Sequence, residues 1–164
     1  MNKETVSLKS KTLIGLTART NNKNEMDPKK AKIGSIAGDY WGNGTSNQFK
    51  HRKNPGVTYS VYTEFESDEH GEYTYFIGEE VSSVDQQDLS KFKVITIPEG
   101  TYQKFTAGPG KMPDIIINAW QNIWSMKKED FAGKRTYLAD FEIYDHRAMD
   151  PTNAIADIYI GVMN

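Results

Sequence analysis

The sequence predicts an α+β fold: two β-α-β-β units joined in one mostly antiparallel sheet, with two helices on one face and a ligand cleft on the other. Three observations lead there. An amphipathic helix pattern occurs twice, β-rich runs stand before and after each copy, and separated residues agree at one common offset along the chain. In the first half, residues 12–18 form a β-rich run, and Asp27 with Pro28 supplies an N-cap and a first helical residue. Ile33, Ile36, Ala37, Tyr40 and Trp41 then make a helical stripe that Gly42, Asn43 and Gly44 terminate. Residues 59–65 and 73–78 alternate as strands, with a hairpin loop at Asp68, Glu69, His70 and Gly71. The second half repeats the order. Residues 92–97 read as a strand, Pro113 and Asp114 open a helix striped by Ile116, Ala119, Trp120, Ile123 and Trp124, and residues 136–144 and 155–162 read as strands. Ile33 recurs as Ile116, Trp41 as Trp124, and the triplet 76–78 as 159–161, all at the same offset. A unit with one helix cannot bury both faces of its sheet, so the units are expected to pair. This gives one domain over residues 1–164, with pseudo-twofold halves at about 5–85 and 90–163.

Composition narrows the function. A chain of 164 residues buries a single sizeable core without staples. The absence of cysteine excludes disulfides, thiolate metal sites and a cysteine nucleophile, and favours a cytoplasmic location. No apolar run reaches the length of a signal-peptide core or a membrane span. A net charge of −2 with both signs interspersed offers no field for nucleic acid, and the basic runs at 29–32 and 51–53 read as solvated faces. His51, His70 and His146 are too widely spaced for a metal site, so neither metal nor cofactor is expected. The acidic pair Glu79–Glu80 reads as solvating a turn, and residues 108–111 as a loop that lacks the spacing of a P-loop. Three tryptophans, nine tyrosines and seven phenylalanines exceed the need of the core, so some rings are expected to line a cavity.

Strand alternation nominates the cavity residues. With Phe141 and Ile143 turned to the helices, Glu142 and Tyr144 face the open side. With Tyr59, Val61 and Phe65 in the core, Tyr62 faces it too. Tyr62 aligns with Tyr144 one residue short of the common offset, which calls for a bulge or a loop change. Ile158, Ile160 and Val162 take the core, which leaves Tyr159 and its counterpart Phe76 toward the cleft. Trp41, beside its Gly-Asn-Gly turn, stands at the rim, whereas Trp120 and Trp124 read as core. A carboxylate among aromatic faces suits an organic cation, through charge attraction and cation–π contact. The expected partner is therefore a small, cationic organic molecule. Glu142 with a tyrosine would also serve as an acid/base pair for hydrolysis.

The ordered set of Ile33-Gly34, Tyr62-Thr63, Gly71-Glu72-Tyr73, Phe76-Ile77-Gly78, Ile97-Pro98-Glu99-Gly100, Ala119-Trp120, Asp140-Phe141-Glu142-Ile143-Tyr144 and Tyr159-Ile160-Gly161 resembles the GyrI-like effector-binding family. Within it, the sequence is most similar to the integron-associated effector-binding proteins. The resemblance implies a duplicated β-α-β-β fold whose central cleft takes drug-like molecules, often lipophilic cations. It places the counter-charge on Glu142 and the following aromatic on Tyr144. In AraC-type and MerR-type regulators such a domain is joined to a helix-turn-helix segment; here a stand-alone drug-sensing domain is expected. Stand-alone relatives leave two alternatives open: a protein-directed inhibitor of gyrase type, and a small hydrolase of toxic electrophiles.

Overall fold

The structure, a computed structural model, describes residues 1–131 and 133–163. Its strands are β1 (Asn2–Leu8), β2 (Lys11–Thr20), β3 (Thr58–Thr63), β4 (Tyr73–Glu80), β5 (Lys93–Ile97), β6 (Gly100–Gly110), β7 (Lys134–Tyr144) and β8 (Ala154–Met163). They form one antiparallel sheet in the order β1-β6-β8-β7-β3-β4-β2-β5. Helices α1 (Asn22–Glu25), α2 (Ile33–Gly42) and α3 (Asp114–Ser125) complete an α+β architecture. Read outwards from the β7–β3 junction, the order is the same on both sides, so β2-α2-β3-β4 corresponds to β6-α3-β7-β8.

Two assignments change. The counterpart of β2 is β6, not the run 92–97, which is β5 and sits at the sheet edge as β1 does at the other. Each edge strand pairs across to the other half, β1 on β6 and β5 on β2. The polar run of β1 and the Gly-Pro-Gly end of β6 hid both strands, because neither carries uninterrupted apolar alternation. Helix α2 also starts later than Asp27-Pro28 implies. Asp27 Oδ1 accepts from the backbone of Lys29 at 2.9 Å and makes a separate turn. The Glu25 carboxylate instead receives the amides of Lys32 and Ile33, each at 3.0 Å, at the start of the helix.

One rung of paired residues defines the faces. Phe105, Ile158, Glu142, Ser60, Ile77 and Leu16 lie side by side across six strands, and residues opposite one another share a face. Helix α2 packs Ile33, Ile36, Ala37 and Tyr40 with Ile14, Leu16, Tyr75 and Ile77. Helix α3 packs Ile116, Ala119, Trp120 and Ile123 with Phe105, Ile158 and Ile160. Both helices therefore stand on the Glu142 face. The opposite face is buried too, in a cluster that takes Leu13, Tyr59, Val61, Phe76, Ile97, Tyr102, Phe141 and Tyr159, with Val6 and Leu8 of β1 packed against it. Residues from both ends of the sheet meet there, so the sheet curls over its helix-free face. The β7–β8 ladder breaks register between Arg135 and Asp140, in the strand that carries Tyr144.

The acidic pair at the end of β4 is not a solvated turn. Glu79 is buried and meets Arg52 at 3.4 Å, and Glu80 meets Lys11 at 3.6 Å and Lys53 at 3.5 Å. Much of the 51–53 basic run is thus occupied by an internal ionic contact.

The glycine of Phe76-Ile77-Gly78 has a packing reason. Gly78 pairs directly with Gly15, and a Cβ on either would lie 2.0 Å from a backbone oxygen, Ile14 O or Ile77 O. Gly15→Ala is expected to lower unfolding free energy by about 3 kcal/mol, the upper part of the overpacking range. Gly34→Ala in α2, where a Cβ meets nothing within 4 Å, is expected to raise it by up to about 1 kcal/mol. Urea denaturation of the two variants checks the contrast.

Candidate ligand-binding site

Glu142 is the centre of the helix-bearing face. Its side chain is only 2% exposed. The Tyr62 hydroxyl, from β3, donates to Oε2 at 2.9 Å, and the Trp120 indole N–H, from α3, donates to the same oxygen at 2.7 Å. The Tyr144 hydroxyl donates to Oε1. Three neutral donors from three elements thus satisfy a carboxylate that has lost its water, as a buried anion requires. Tyr75 stands in the next layer. Its hydroxyl shares a 2.8 Å bond with Ser60, and its ring centroid is 5.5 Å from that of Tyr62.

Rings enclose this group. Trp120 meets Tyr62 edge to face at 5.3 Å, Trp41 meets Tyr144 at 5.9 Å and 90°, and Trp124 leans on Trp120 at 6.2 Å. Trp41 and Trp124 remain 52% and 54% exposed, so each presents a ring to the outside. Beside the cage lies a cavity of about 240 Å³, walled by Tyr62, Phe65, Tyr73, Trp120, Trp124 and Ile116 among others. An outer cavity of about 840 Å³ shares Trp124, Ile117, Glu25, Glu69 and Arg135 with it. The two together form a cleft whose inner end is separated from the Glu142 carboxylate by Tyr62 and Trp120.

The electrostatics follow from burial. Desolvation pushes the Glu142 pKa above the ordinary glutamate value, while the bonds from Tyr144, Trp120 and Tyr62 pull the other way and only partly compensate. Burial, and then the nearby Glu142 charge, push both Tyr62 and Tyr144 well above the usual phenol range. The two hydroxyls stay protonated and remain donors.

Of the residues nominated from the sequence, the structure brings together Glu142, Tyr144, Tyr62 and Trp41. Phe76 and Tyr159 do not join them. They lie in the rung Lys104-Tyr159-Phe141-Val61-Phe76-Thr17 on the opposite face, where Tyr159 stacks on Phe141 at 4.7 Å. The cleft accordingly lies on the helix-bearing face, between α2 and α3, and not on the bare one. Both faces are apolar, so alternation alone assigns residues to the wrong side when the β7–β8 register is unknown. Trp120 and Tyr75 were missed. The usable signal for Trp120 was its indole N–H, which needs a partner when the ring is buried in a helix stripe. Among the described residues, no group of three or more His, Asp or Glu side chains is placed to hold a metal ion, and no helix is long and apolar enough to cross a membrane.

The family model for integron-associated effector binding proteins matches residues 4–162, and the chain belongs to that family. YobU of Bacillus subtilis (strain 168), described as a candidate transcriptional regulator, is 27% identical over 152 residues, which span 93% of this chain and 92% of YobU. The integron cassette protein VCH_CASS2 of Vibrio cholerae has the same fold, with a TM-score of 0.77 at 24% identity, covering 98% of this chain and 95% of its own. The structure of SAV2435 bound to tetraphenylphosphonium also has a TM-score of 0.77, at 20% identity, covering 100% of this chain and 95% of its own.

The direction of the Glu142 shift carries a sign. A carboxyl that holds its proton more tightly folded than unfolded gives the folded state the extra proton between the two pKa values. Its contribution to stability is therefore greatest below the ordinary glutamate value of about 4.3 and falls as pH rises through the folded value. Glu142→Gln lacks this dependence. Asp140 and Glu79, also raised by burial, are common to both proteins and cancel. Denaturation from pH 4 to 8 is expected to show the variant gaining stability relative to the parent as pH rises.

Proposed function

We propose that this chain binds aromatic, positively charged small molecules in the cleft between α2 and α3. Glu142 is the buried counter-charge, Tyr62, Tyr144 and Trp120 are the rings around it, and Trp41 backs Tyr144 from outside. One observation carries the reading: a carboxylate 2% exposed, one side-chain layer behind a cavity with tyrosine and tryptophan walls. A buried anion in such a place is costly, and a delocalised cation held across the Tyr62–Trp120 layer offsets part of that cost without needing water of its own. Ring faces at the wall add cation–π attraction for any cation of suitable shape, which favours a class of ligands over a single one.

The larger volume of the outer cavity accommodates bulk that the inner one does not, so the charge can sit at the Tyr62–Trp120 wall while the remaining rings spread toward Trp124 and Ile117. SAV2435, with the same fold, is described bound to tetraphenylphosphonium, a quaternary aromatic cation, and this supports the cationic assignment. A sensing role linked to transcription is supported by the description of YobU. Phe76 and Tyr159, sealed in the opposite core, are outside the proposed site.

Titration calorimetry with tetraphenylphosphonium and a neutral triphenyl analogue tests the proposal. Glu142→Gln keeps the shape and is expected to weaken the cation by about 2 kcal/mol, the attraction of two charges one side-chain layer apart at an effective dielectric of about 20. The neutral analogue is expected to lose less than about 0.5 kcal/mol, the usual scatter of a substitution away from the contact. Equal losses for the two ligands would remove Glu142 from the role of counter-charge.

A further inference from the structure

The cleft changes its charge along its length. The inner cavity is bordered by Glu25, Glu69 and Asp140 against a single base, Arg135. The outer cavity keeps Glu25 and Glu69, lacks Asp140 and adds His70, Lys128 and Lys134, so the balance there passes from acidic to basic. Arg135 borders both, and its side chain is 13% exposed. Its Nη2 donates to Asp140 at 2.7 Å, and the guanidinium carbon stands 4.4 Å from the centroid of the Tyr137 ring. The buried Nε–H has no acceptor among the described residues, a condition that buried donors rarely tolerate.

The ring beneath this guanidinium is held there against its backbone preference. Tyr137 has φ +52°, in the left-handed region that costs an aromatic residue energy, and it lies in the segment where β7 loses register with β8. Its hydroxyl donates to the Glu69 carboxylate and Phe65 meets its ring at 5.7 Å, so both neighbours fix its place. Strain kept at a cavity wall, beneath a cation whose hydrogen-bonding capacity is incompletely used, belongs with a ligand contact more than with packing.

We infer that the ligand of this cleft is amphoteric: an aromatic cation that also bears a carboxylate, with its positive end in the inner cavity and its carboxylate at Arg135, where Lys128 and Lys134 border the outer cavity. The inference rests on the proposed function, because it assumes that the inner end takes the cation. It adds a second recognition element, of opposite charge. Arg135 is suited to it by a planar guanidinium that can turn its remaining N–H groups to an oxygen while the Asp140 bond anchors it.

A matched pair of dyes provides the test: a rhodamine ethyl ester, which is a cation, and the corresponding free acid, which is a zwitterion with the same ring system. Fluorescence anisotropy with the full chain at low salt is expected to show the acid binding about tenfold tighter than the ester, the ratio set by one charge-assisted hydrogen bond. The double variant Arg135→Gln/Asp140→Asn replaces the buried ion pair by a neutral one, and is expected to abolish the preference, read as the ratio of the acid and ester affinities within the same variant. Should that variant not fold, as its melting curve would show, Lys128→Ala/Lys134→Ala changes only exposed residues. It is expected to reduce the preference by a salt-sensitive factor with the ester unchanged. Equal affinity of the parent for the two dyes, or equal loss of both in the variants, overturns the inference. Ester binding that depends on Glu142 without a preference for the acid overturns it alone. Failure of the parent to bind either dye overturns the proposed function with it.

Discussion

The burial of one carboxylate organises the centre of this molecule. Glu142 sits on β7 at the junction of the two halves, paired with Ser60 of β3, and it is satisfied only because β3, β7 and α3 each deliver a donor to it. That requirement constrains two things together. Tyr62 and Tyr144 must emerge on the same face of adjacent strands, and α3 must cross at a height that brings the indole N–H of Trp120 to the carboxylate. A slip of one residue between β3 and β7 would send Glu142 into the opposite core, where Phe141 and Tyr159 stack.

The same constraint suits recognition of shape-tolerant cations. Neutral donors stabilise the carboxylate enough to keep it buried, but burial still raises its affinity for a proton, so the site holds a latent demand for positive charge. In the proposed role, a cation with delocalised charge would meet that demand without being stripped of a tight hydration shell, and tyrosine and tryptophan faces suit it over a range of positions. Membership of the integron-associated effector binding family accords with a site for small molecules.

Much of the fold was legible in the sequence. The two helix stripes, their tryptophans and the repeated strand pairs follow from periodicity, and they led to the α+β sheet with both helices on one face. The strands lost to view were those without apolar alternation, β1 and β6. The site was legible in its chemistry and less so in its geometry. Glu142, Tyr62, Tyr144 and Trp41 do converge, because the alternation that placed the first three on one face is a local property of β3 and β7. Phe76 and Tyr159 do not, because relating one strand's faces to another's needs the register between β7 and β8, which is broken in the Arg135–Asp140 segment. A curled sheet removes the remaining clue: β4 is buried at every position, so neither of its faces reads as solvent. Trp120 shows the opposite limit. Periodicity gave its helix face correctly, and only the need of its N–H for an acceptor distinguishes a site residue from a core residue there.

The response of the buried Glu142 carboxyl to a cation in the cleft can be read at the carboxyl carbon itself. Carbon-13 NMR of the chain labelled at glutamate Cδ, with the Glu142 signal assigned by its loss in Glu142→Gln, follows the ionisation of that one group through pH. The expected midpoint lies above that of ordinary glutamates in the free protein and moves downward when the cleft is saturated with tetraphenylphosphonium. A midpoint that stays in place on saturation, with the ligand demonstrably bound, would mean that Glu142 is not the counter-charge.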